Sequence, residues 1–209
     1  MIKKTITLVA LFFVVLTNAQ INAITETGDK VILFKDKTWK YSNDSLNVAI
    51  EISKNDKLFL KNKESTFLVK SSKSNIGIWI NPKNWTFSKA KPDSPSEFKF
   101  NNKNLDVYGM LIAEKIQIPI ETLINIAYQN AMEAASDIKI IEKEYRNVNG
   151  LDVVMMKMKG TIQGVKFTYY GYYYSNSEGS FQFLTYTSTN MFKDYENEMS
   201  DLLNGLVEY

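Results

Sequence analysis

Four groups of side chains in this sequence have the type and spacing to do chemistry. The first is an aromatic run, Tyr169, Tyr170, Tyr172, Tyr173 and Tyr174, interrupted only by Gly171. Alternate side chains of a strand point to opposite faces, so Val165, Phe167, Tyr169 and Tyr173 share one side and Tyr170, Tyr172 and Tyr174 the other. Tyrosine carries a rigid apolar ring with a polar tip, and such a face can stack a sugar or a peptide. Tyr170, Tyr172 and Tyr174, together with Trp85, form the candidate ligand-binding set. The same pattern also suits a central strand covered by helices on both sides, which needs large residues on both faces.

The other three groups have plainer readings. Met155, Met156 and Met158 are thioethers that favour a soft metal such as Cu(I), but Met155 lies opposite the other two on a strand, so core packing is expected. Glu142 and Glu144 share a strand face and have the look of an acid/base pair. Glycosidase chemistry needs two carboxyls flanking a cleft, whereas neighbours two apart on a strand sit side by side. With Lys143 between them and Lys157 and Lys159 on the next strand, ordinary charge alternation facing water is expected. Ser88-x-x-Lys91 has the letters of a Ser/Lys nucleophile motif, but it runs into the loop carrying Pro92 and Pro95 rather than along a helix.

The residue counts narrow the chemistry further. The 209 residues include no Cys and no His. Disulfides, thiol nucleophiles and lipid-modified cysteine are thereby excluded, as are Ser-His-Asp triads, facial iron triads and histidine zinc sites. No phosphate-cradling glycine loop or EF-hand ligand ladder is present. The sequence therefore leads us to expect no catalytic residue set, no metal and no cofactor.

These groups must be positioned by elements that the hydropathy pattern marks out. Lys3 and Lys4, the apolar run Ile6 to Leu16 and Thr17-Asn18-Ala19 before Gln20 have the form of a signal peptide over residues 1–19. An eleven-residue helix spans about 16 Å, too short for a bilayer core of about 30 Å. No later stretch approaches the eighteen apolar residues of a membrane span. An exported protein, periplasmic or secreted, is expected. Removing residues 1–19 takes away two lysines and no acids, which leaves basic and acidic residues equal in number. A balanced surface exerts no long-range pull on phosphate backbones, and Arg146 is the one arginine, so nucleic-acid binding is not expected.

Ile24 to Tyr41 alternates β-branched and aromatic runs with turn residues at Gly28-Asp29 and Lys35-Asp36-Lys37, which predicts two or three short strands. Such strands are marginal alone and should dock on something larger. The stretch resembles a short hairpin module near the start of many exported proteins of Bacteroidota. Residues 42–66 read as a connecting region with one or two strands. Ile76 to Ile80 alternates and stops at Asn81-Pro82, Trp85 to Phe87 continues it, and strands follow around Phe98 to Phe100 and within Leu105 to Ile118. Pro119 starts a helix whose stripe is Ile120, Leu123, Ile124, Ala127, Ala131, Ala134 and Ala135. Three long strands follow, Ile138 to Val148, Leu151 to Lys159 and Val165 to Ser175, joined at Asn149-Gly150 and through Gly160 to Gly164. Phe181 to Thr187 completes the meander. A second amphipathic helix closes the chain, with Phe192, Tyr195, Met199, Leu202, Leu203 and Leu206 as its stripe and Thr189 or Asn190 as its cap.

The fold class is α+β: an antiparallel β-sheet with two amphipathic helices packed on it, plus a small N-terminal β-hairpin. The strand and turn Gly77-Ile-Trp-Ile-Asn-Pro-Lys-Asn-Trp85, the hairpin Phe167 to Thr187 and the terminal helix Phe192 to Leu206 are similar to the PsbP-like and DcrB-like α/β/α sandwich family. The resemblance covers residues 66–209, after a hairpin and connecting region at 20–65. It implies a protein that binds partners and assists assembly rather than one that catalyses, and it brings no ligand set with it. Two functions stay open: a non-catalytic binding or assembly protein of the bacterial cell envelope, with a protein or envelope component as partner, and a small-ligand or glycan-binding module using the tyrosine-rich sheet face. Whether Tyr170, Tyr172, Tyr174 and Trp85 border an open concavity or lie under a helix separates them.

Overall fold

A computed structural model describes residues 21–25, 30–33, 37, 39–41 and 52–209 of the chain. The expected signal peptide, the turn at Gly28-Asp29, Lys35-Asp36 and residues 42–51 of the connecting region lie outside the described residues. In chain order the elements are β1 (Ile21–Ile24), β2 (Lys30–Leu33), β3 (Trp39–Tyr41), β4 (Ser53–Phe59), β5 (Phe67–Lys70), β6 (Ile76–Ile80), β7 (Trp85–Lys89), β8 (Phe98–Asn102) and β9 (Tyr108–Glu114). They continue with α1 (Ile120–Ala134), β10 (Lys139–Val148), β11 (Leu151–Ile162), β12 (Val165–Asn176), β13 (Gly179–Ser188), α2 (Phe192–Leu203) and β14 (Leu206–Glu208).

The long strands β10 to β13 form the expected meander, and two-residue turns set its register. Asn149 and Gly150 have φ of 51° and 90°, and Gln163 and Gly164 have φ of 50° and 82°. Two successive positive φ values match the right-handed twist of the flanking strands. The second turn is shorter than the sequence predicted, because β11 runs on through Gly160 to Ile162. Gly160 serves close packing instead: a Cβ there would stand 3.2 Å from Ala135 and Ile138.

The meander is the centre of an eight-stranded sheet in the order β4-β10-β11-β12-β13-β9-β8-β7. All its pairs are antiparallel except β4 with β10. Strand β4 extends the sheet upstream of residue 66, where the sequence placed the start of the domain. Its register with β10 jumps from Tyr145↔Lys54 to Asn147↔Leu58, so β4 bulges outward over Asn55 to Lys57.

Helix α1 packs on one face, where Leu123, Ile124 and Ala127 meet Val154, Met156, Met158 and Tyr173. On the other face Met199, Leu202 and Leu203 of α2 join Met155, Tyr170, Tyr172 and Phe183. The three methionines thus divide between the two cores, as packing requires. Strand β6 is not part of the large sheet: with β5 and β14 it forms a second, three-stranded sheet in the order β14-β6-β5. Ile76, Ile78 and Ile80 of β6 are buried in the α2-side core. Helix α2 stops at Leu203, so Leu206 belongs to β14 rather than to the helix stripe. Gly205 allows this turn, since a Cβ would meet the Trp79 carbonyl oxygen at 2.0 Å, and the Trp79 N–H donates to the Gly205 carbonyl at 2.8 Å. Neither Thr189 nor Asn190 caps α2. Met191 holds the cap position and makes no side-chain cap bond. The N–H groups of Asp194 and Tyr195 both donate to the Met191 carbonyl at 3.1 Å.

The N-terminal strands pair as a small antiparallel sheet, β1-β2-β3. Its register sets Ile21, Leu33 and Trp39 in one row and Ala23 and Val31 in the next.

Candidate functional site

Three of the four sequence-selected side chains are interior. Tyr170, Tyr172 and Trp85 are buried in the core beneath α2, and Tyr174 is half-buried. The Tyr170 and Tyr172 rings meet edge to face, their centroids 6.1 Å apart, and Phe192 of α2 covers Tyr170 in the same way at 6.4 Å. The Tyr172 hydroxyl donates to Asn204 Oδ1 at 2.8 Å, and burial pushes its pKa up. The Tyr174 hydroxyl donates to Glu208 at 2.8 Å, and burial, followed by that carboxylate, pushes its pKa up to about 12. Trp85 stands apart from the tyrosines in its polar contact. Its indole N–H donates to Glu198 of α2 at 2.7 Å, and the Asn84 and Asn102 amides donate to the same carboxylate. The Pro-x-x-Trp turn is therefore an anchor for α2.

Glu142 and Glu144 do not alternate with lysine in water as expected. Glu144, Arg146 and Lys157 are buried on the α2 side. A register shift after Ile140 sets Glu142 opposite Lys157. Lys157 then bridges Glu142 at 2.8 Å and Glu196 of α2 at 2.6 Å. Burial works to lower the Lys157 pKa, but the two carboxylates outweigh it and the net shift is upward. Arg146 donates from Nε to Glu144, and from Nη1 to the Tyr170 and Tyr172 hydroxyls at 2.5 and 3.2 Å, while its plane lies 4.3 Å from the Phe59 ring centre. Burial opposes its charge as well, but the tyrosine oxygens and Glu144 reverse the effect and raise its pKa. Asn55, on the β4 bulge, adds a bond to Glu144 at 3.0 Å. This cluster binds β4, β10, β12 and α2 together. Beside it, a groove of about 510 Å³ opens along the bulge, with Lys54, Leu58, Tyr145 and Asp152 in its walls.

On the α1 side the buried polar groups are fewer. Tyr173 is buried there and its hydroxyl has no hydrogen-bond partner. An orphaned hydroxyl forfeits its hydration, so Tyr173→Phe is expected to leave stability unchanged or raise it by about 1 kcal/mol. For a chain of this size that is a rise of roughly 2–4 °C in Tm, read by thermal denaturation.

The open surface lies elsewhere, on the α1 side of the sheet beyond the helix. Register places Tyr169, Tyr186 and Tyr108 side by side across β12, β13 and β9. Their ring centroids are 5.5 Å apart in both steps, with interplanar angles of 40° and 24°. Tyr108 is exposed and the other two are half-buried, as are Met110, Ile112 and Leu184 beside them. Burial raises the pKa of Tyr169 and Tyr186, and the neighbouring phenols add to the shift at Tyr186. The strands themselves show what solvent alone asks for. On β8 and β7, farther from α1, the same face carries Lys99, Asn101, Thr86 and Ser88. On β9 and β13 it turns apolar and aromatic: Leu184 packs in part against the α1-side core, while Tyr108 is exposed and Met110, Ile112 and Tyr186 are half-buried.

Tyr170 and Tyr172 of the expected ligand-binding set are buried toward α2, whereas the open face carries Tyr108 and Tyr186, which the sequence pattern alone does not single out. The available signal was that Tyr108 to Ala113 is apolar on both strand faces. Which second face lacks a cover depends on strand order, which is not local in sequence.

No protein-family model matches this sequence, and no curated protein matches it. Solved structures do. The solution structure of the cyanobacterial PsbP protein (CyanoP) of Synechocystis sp. PCC 6803 aligns with a TM-score of 0.53 at 13% identity, covering 71% of this chain and 95% of that one. A Pseudomonas aeruginosa protein of unknown function aligns with a TM-score of 0.44 at 12% identity over 68% of this chain and 96% of its own. A Bacteroides thetaiotaomicron protein aligns at 0.41 and 13% identity over 65% of this chain and 45% of its own.

Proposed function

On the PsbP-like fold that this chain adopts, we propose that it is an exported, non-catalytic binding or assembly protein of the bacterial cell envelope, and that a partner protein seats on the open sheet face around Tyr186. The leader-like residues 1–19 support export, and no described helix is long and apolar enough to cross a membrane.

The apolar band on an uncovered face carries the reading. An antiparallel sheet facing water alternates apolar-in and polar-out. Here Tyr108, Met110, Ile112 and Tyr186 break that rule, while Lys99, Asn101, Gln182 and Ser188 ring them with polar groups. An apolar, tyrosine-rich centre inside a polar rim is the usual anatomy of a protein–protein interface. A glycan is the competing occupant. Tyr108 and Tyr186 stack at an interplanar angle of 24° and Tyr169 tilts from Tyr186 by 40°, so the rings are engaged with one another rather than laid out as the flat platform a sugar ring uses.

The test places a photo-crosslinking residue at Met110 or Gln182, and at Lys193 on α2, exposed on the opposite side of the sheet, as a remote control, in cells that make the protein. Protein adducts are expected from the first two positions only. Tyr186→Lys is expected to weaken the recovered complex by about 30-fold or more, the loss typical of a central aromatic hot spot. Labelling at Lys193 equal to that at Met110, or none at either face position, sinks the reading. Oligosaccharide binding that Tyr186→Lys abolishes would replace the protein with a glycan.

A further inference from the structure

The eight-stranded sheet ends in two strands, β4 and β7, and they are finished differently. At one end β4 bulges outward over Asn55 to Lys57 and carries the Lys54–Asp56 ion pair at 2.8 Å. Bulges and charges of this kind blunt an edge against strand pairing. At the other end β7 is plain. Its five residues hold no proline and run in unbroken register with β8, from Trp85↔Asn102 to Lys89↔Phe98. Its one charge, Lys89, stands at its end, and Thr86, Phe87, Ser88 and Lys89 are all exposed.

The register shows which backbone groups the β7 edge offers. The Lys103 N–H donates to the Asn84 carbonyl at 2.8 Å, and the Ala90 N–H donates to the Glu97 carbonyl at 2.9 Å. In an antiparallel ladder, pairs that exchange bonds alternate with pairs that do not. Asn84, Thr86, Ser88 and Ala90 therefore turn their N–H and C=O toward β8, and Trp85, Phe87 and Lys89 turn theirs outward. The Trp85 N–H is taken by the Asn81 carbonyl at 2.9 Å. Among the described residues, the N–H groups of Phe87 and Lys89 and the carbonyls of Trp85, Phe87 and Lys89 have no backbone partner. They form a short row of open donors and acceptors on a straight edge.

We infer that two copies of this chain pair through β7, antiparallel about a two-fold axis at Phe87. Such an axis overlaps the strand along its whole length, so that Phe87 faces the partner's Phe87 and Lys89 faces the partner's Trp85. The Phe87 N–H donates to the partner's Phe87 carbonyl and the Lys89 N–H to the partner's Trp85 carbonyl, each twice by symmetry. Those bonds use only groups that the edge leaves open. Lys89 meets a tryptophan position rather than a second lysine, so no like charges stand opposite within the strand. The axis also sets the two Phe87 rings side by side. Each lies 5.6 Å from Phe67 of its own chain, and Phe67 and Phe87 are 47% and 39% exposed, apolar surface that pairing draws out of water. An edge that pairs with itself closes as a dimer, whereas β7 on β4 would repeat into a filament, and the blunted β4 edge stops that. The dimer stands whether or not the tyrosine face takes a partner, and it sets both tyrosine bands on the same side of one continuous sheet.

The cysteine-free chain makes the test direct. In this register Thr86 stands opposite the partner's Ser88 in a non-hydrogen-bonded pair, whose Cα spacing of about 4.5 Å a disulfide can span. Thr86 and the partner's Thr86 are diagonal neighbours about 7–8 Å apart, beyond a disulfide's reach, and so are the two Ser88 residues. Thr86→Cys and Ser88→Cys, both at exposed positions, are purified separately, mixed and mildly oxidised. A disulfide-linked dimer is expected from the mixture and from neither variant alone. Lys89→Pro removes an outward N–H while leaving the bonds to β8 intact, a change that edge strands accept. It is expected to weaken the dimer about 30-fold in sedimentation equilibrium, the effect of two lost hydrogen bonds, with an unchanged circular dichroism spectrum. A monomer at every concentration, a dimer indifferent to Lys89→Pro, a mixture that forms no disulfide, or a disulfide that either variant forms alone overturns the inference.

Discussion

Arg146→Ala is expected to lower the stability of the protein by about 3–5 kcal/mol, the loss seen when one member of a buried ion pair is removed. At this chain length that is a fall of roughly 10 °C in Tm. The side chains of Arg146 and Glu144 are only 7% and 11% exposed, so solvent does little to screen the charge left behind. Alanine also strips the Tyr170 hydroxyl of its guanidinium donor and uncovers the Phe59 ring. Lysine is not a substitute. One ammonium cannot reach the carboxylate along one edge and two phenols along another while also covering the Phe59 ring. Arg146→Lys is therefore expected to recover less than half of the loss. Arg146→Met combined with Glu144→Leu is expected to recover most of it, because the desolvation penalty leaves with the pair. Thermal and urea denaturation of the three variants beside the parent protein decide the matter. Equal losses for Arg146→Ala and the double variant would mean that packing, not the uncompensated charge, sets the cost.

That cluster also marks where sequence reasoning reaches its limit. Glu142-Lys-Glu-Tyr-Arg146 looks like a solvated strand, and nothing local says that its even positions turn under a helix fifty residues later. The lone arginine in a lysine-rich chain was the visible hint, since only a planar fork makes these contacts together. The meander was legible because its information is local: alternation gives the strands, and Asn149-Gly150 and Gly164 give the turns. Helix α1 was legible in the same way, and Leu123, Ile124 and Ala127 are buried as their spacing predicts. Strand β4 was not. Ser53 to Lys57 is polar throughout and becomes a strand because β10 offers it an edge, not because its own pattern asks for one. The tyrosine row is the extreme case. Tyr108, Tyr169 and Tyr186 come from three separate segments, and only the order β12-β13-β9 brings them together.

Asn149→Asp is expected to cost about 2–4 kcal/mol although it leaves the turn chemistry intact. Aspartate accepts the left-handed conformation at this position as readily as asparagine does, so the β10–β11 hairpin should keep its register. The loss arises from what the side chain holds. The Asn149 amide N–H₂ donates to the Asn204 carbonyl at 2.7 Å and the Leu206 carbonyl at 2.9 Å, while its oxygen accepts from the Lys61 N–H at 2.8 Å. A carboxylate keeps the last bond but sets negative charge against two carbonyl oxygens, which loses two bonds and leaves both acceptors unsatisfied. The damage should be directional. Residues 204–206 join the end of α2 to β14, and the Asn204 side chain accepts the Tyr172 hydroxyl, so the strain passes to the second sheet and to the Arg146 cluster. Amide hydrogen exchange is expected to quicken at Ile78 and Val207 while Val153 and Val154 stay protected. Asn149→Gly, which keeps the turn and simply removes the side chain, should cost less than Asn149→Asp, because no charge replaces the donor. If the two variants melt together, or if exchange quickens first within β10 and β11, then this residue matters for its backbone conformation and not as the tie between the hairpin and the end of α2.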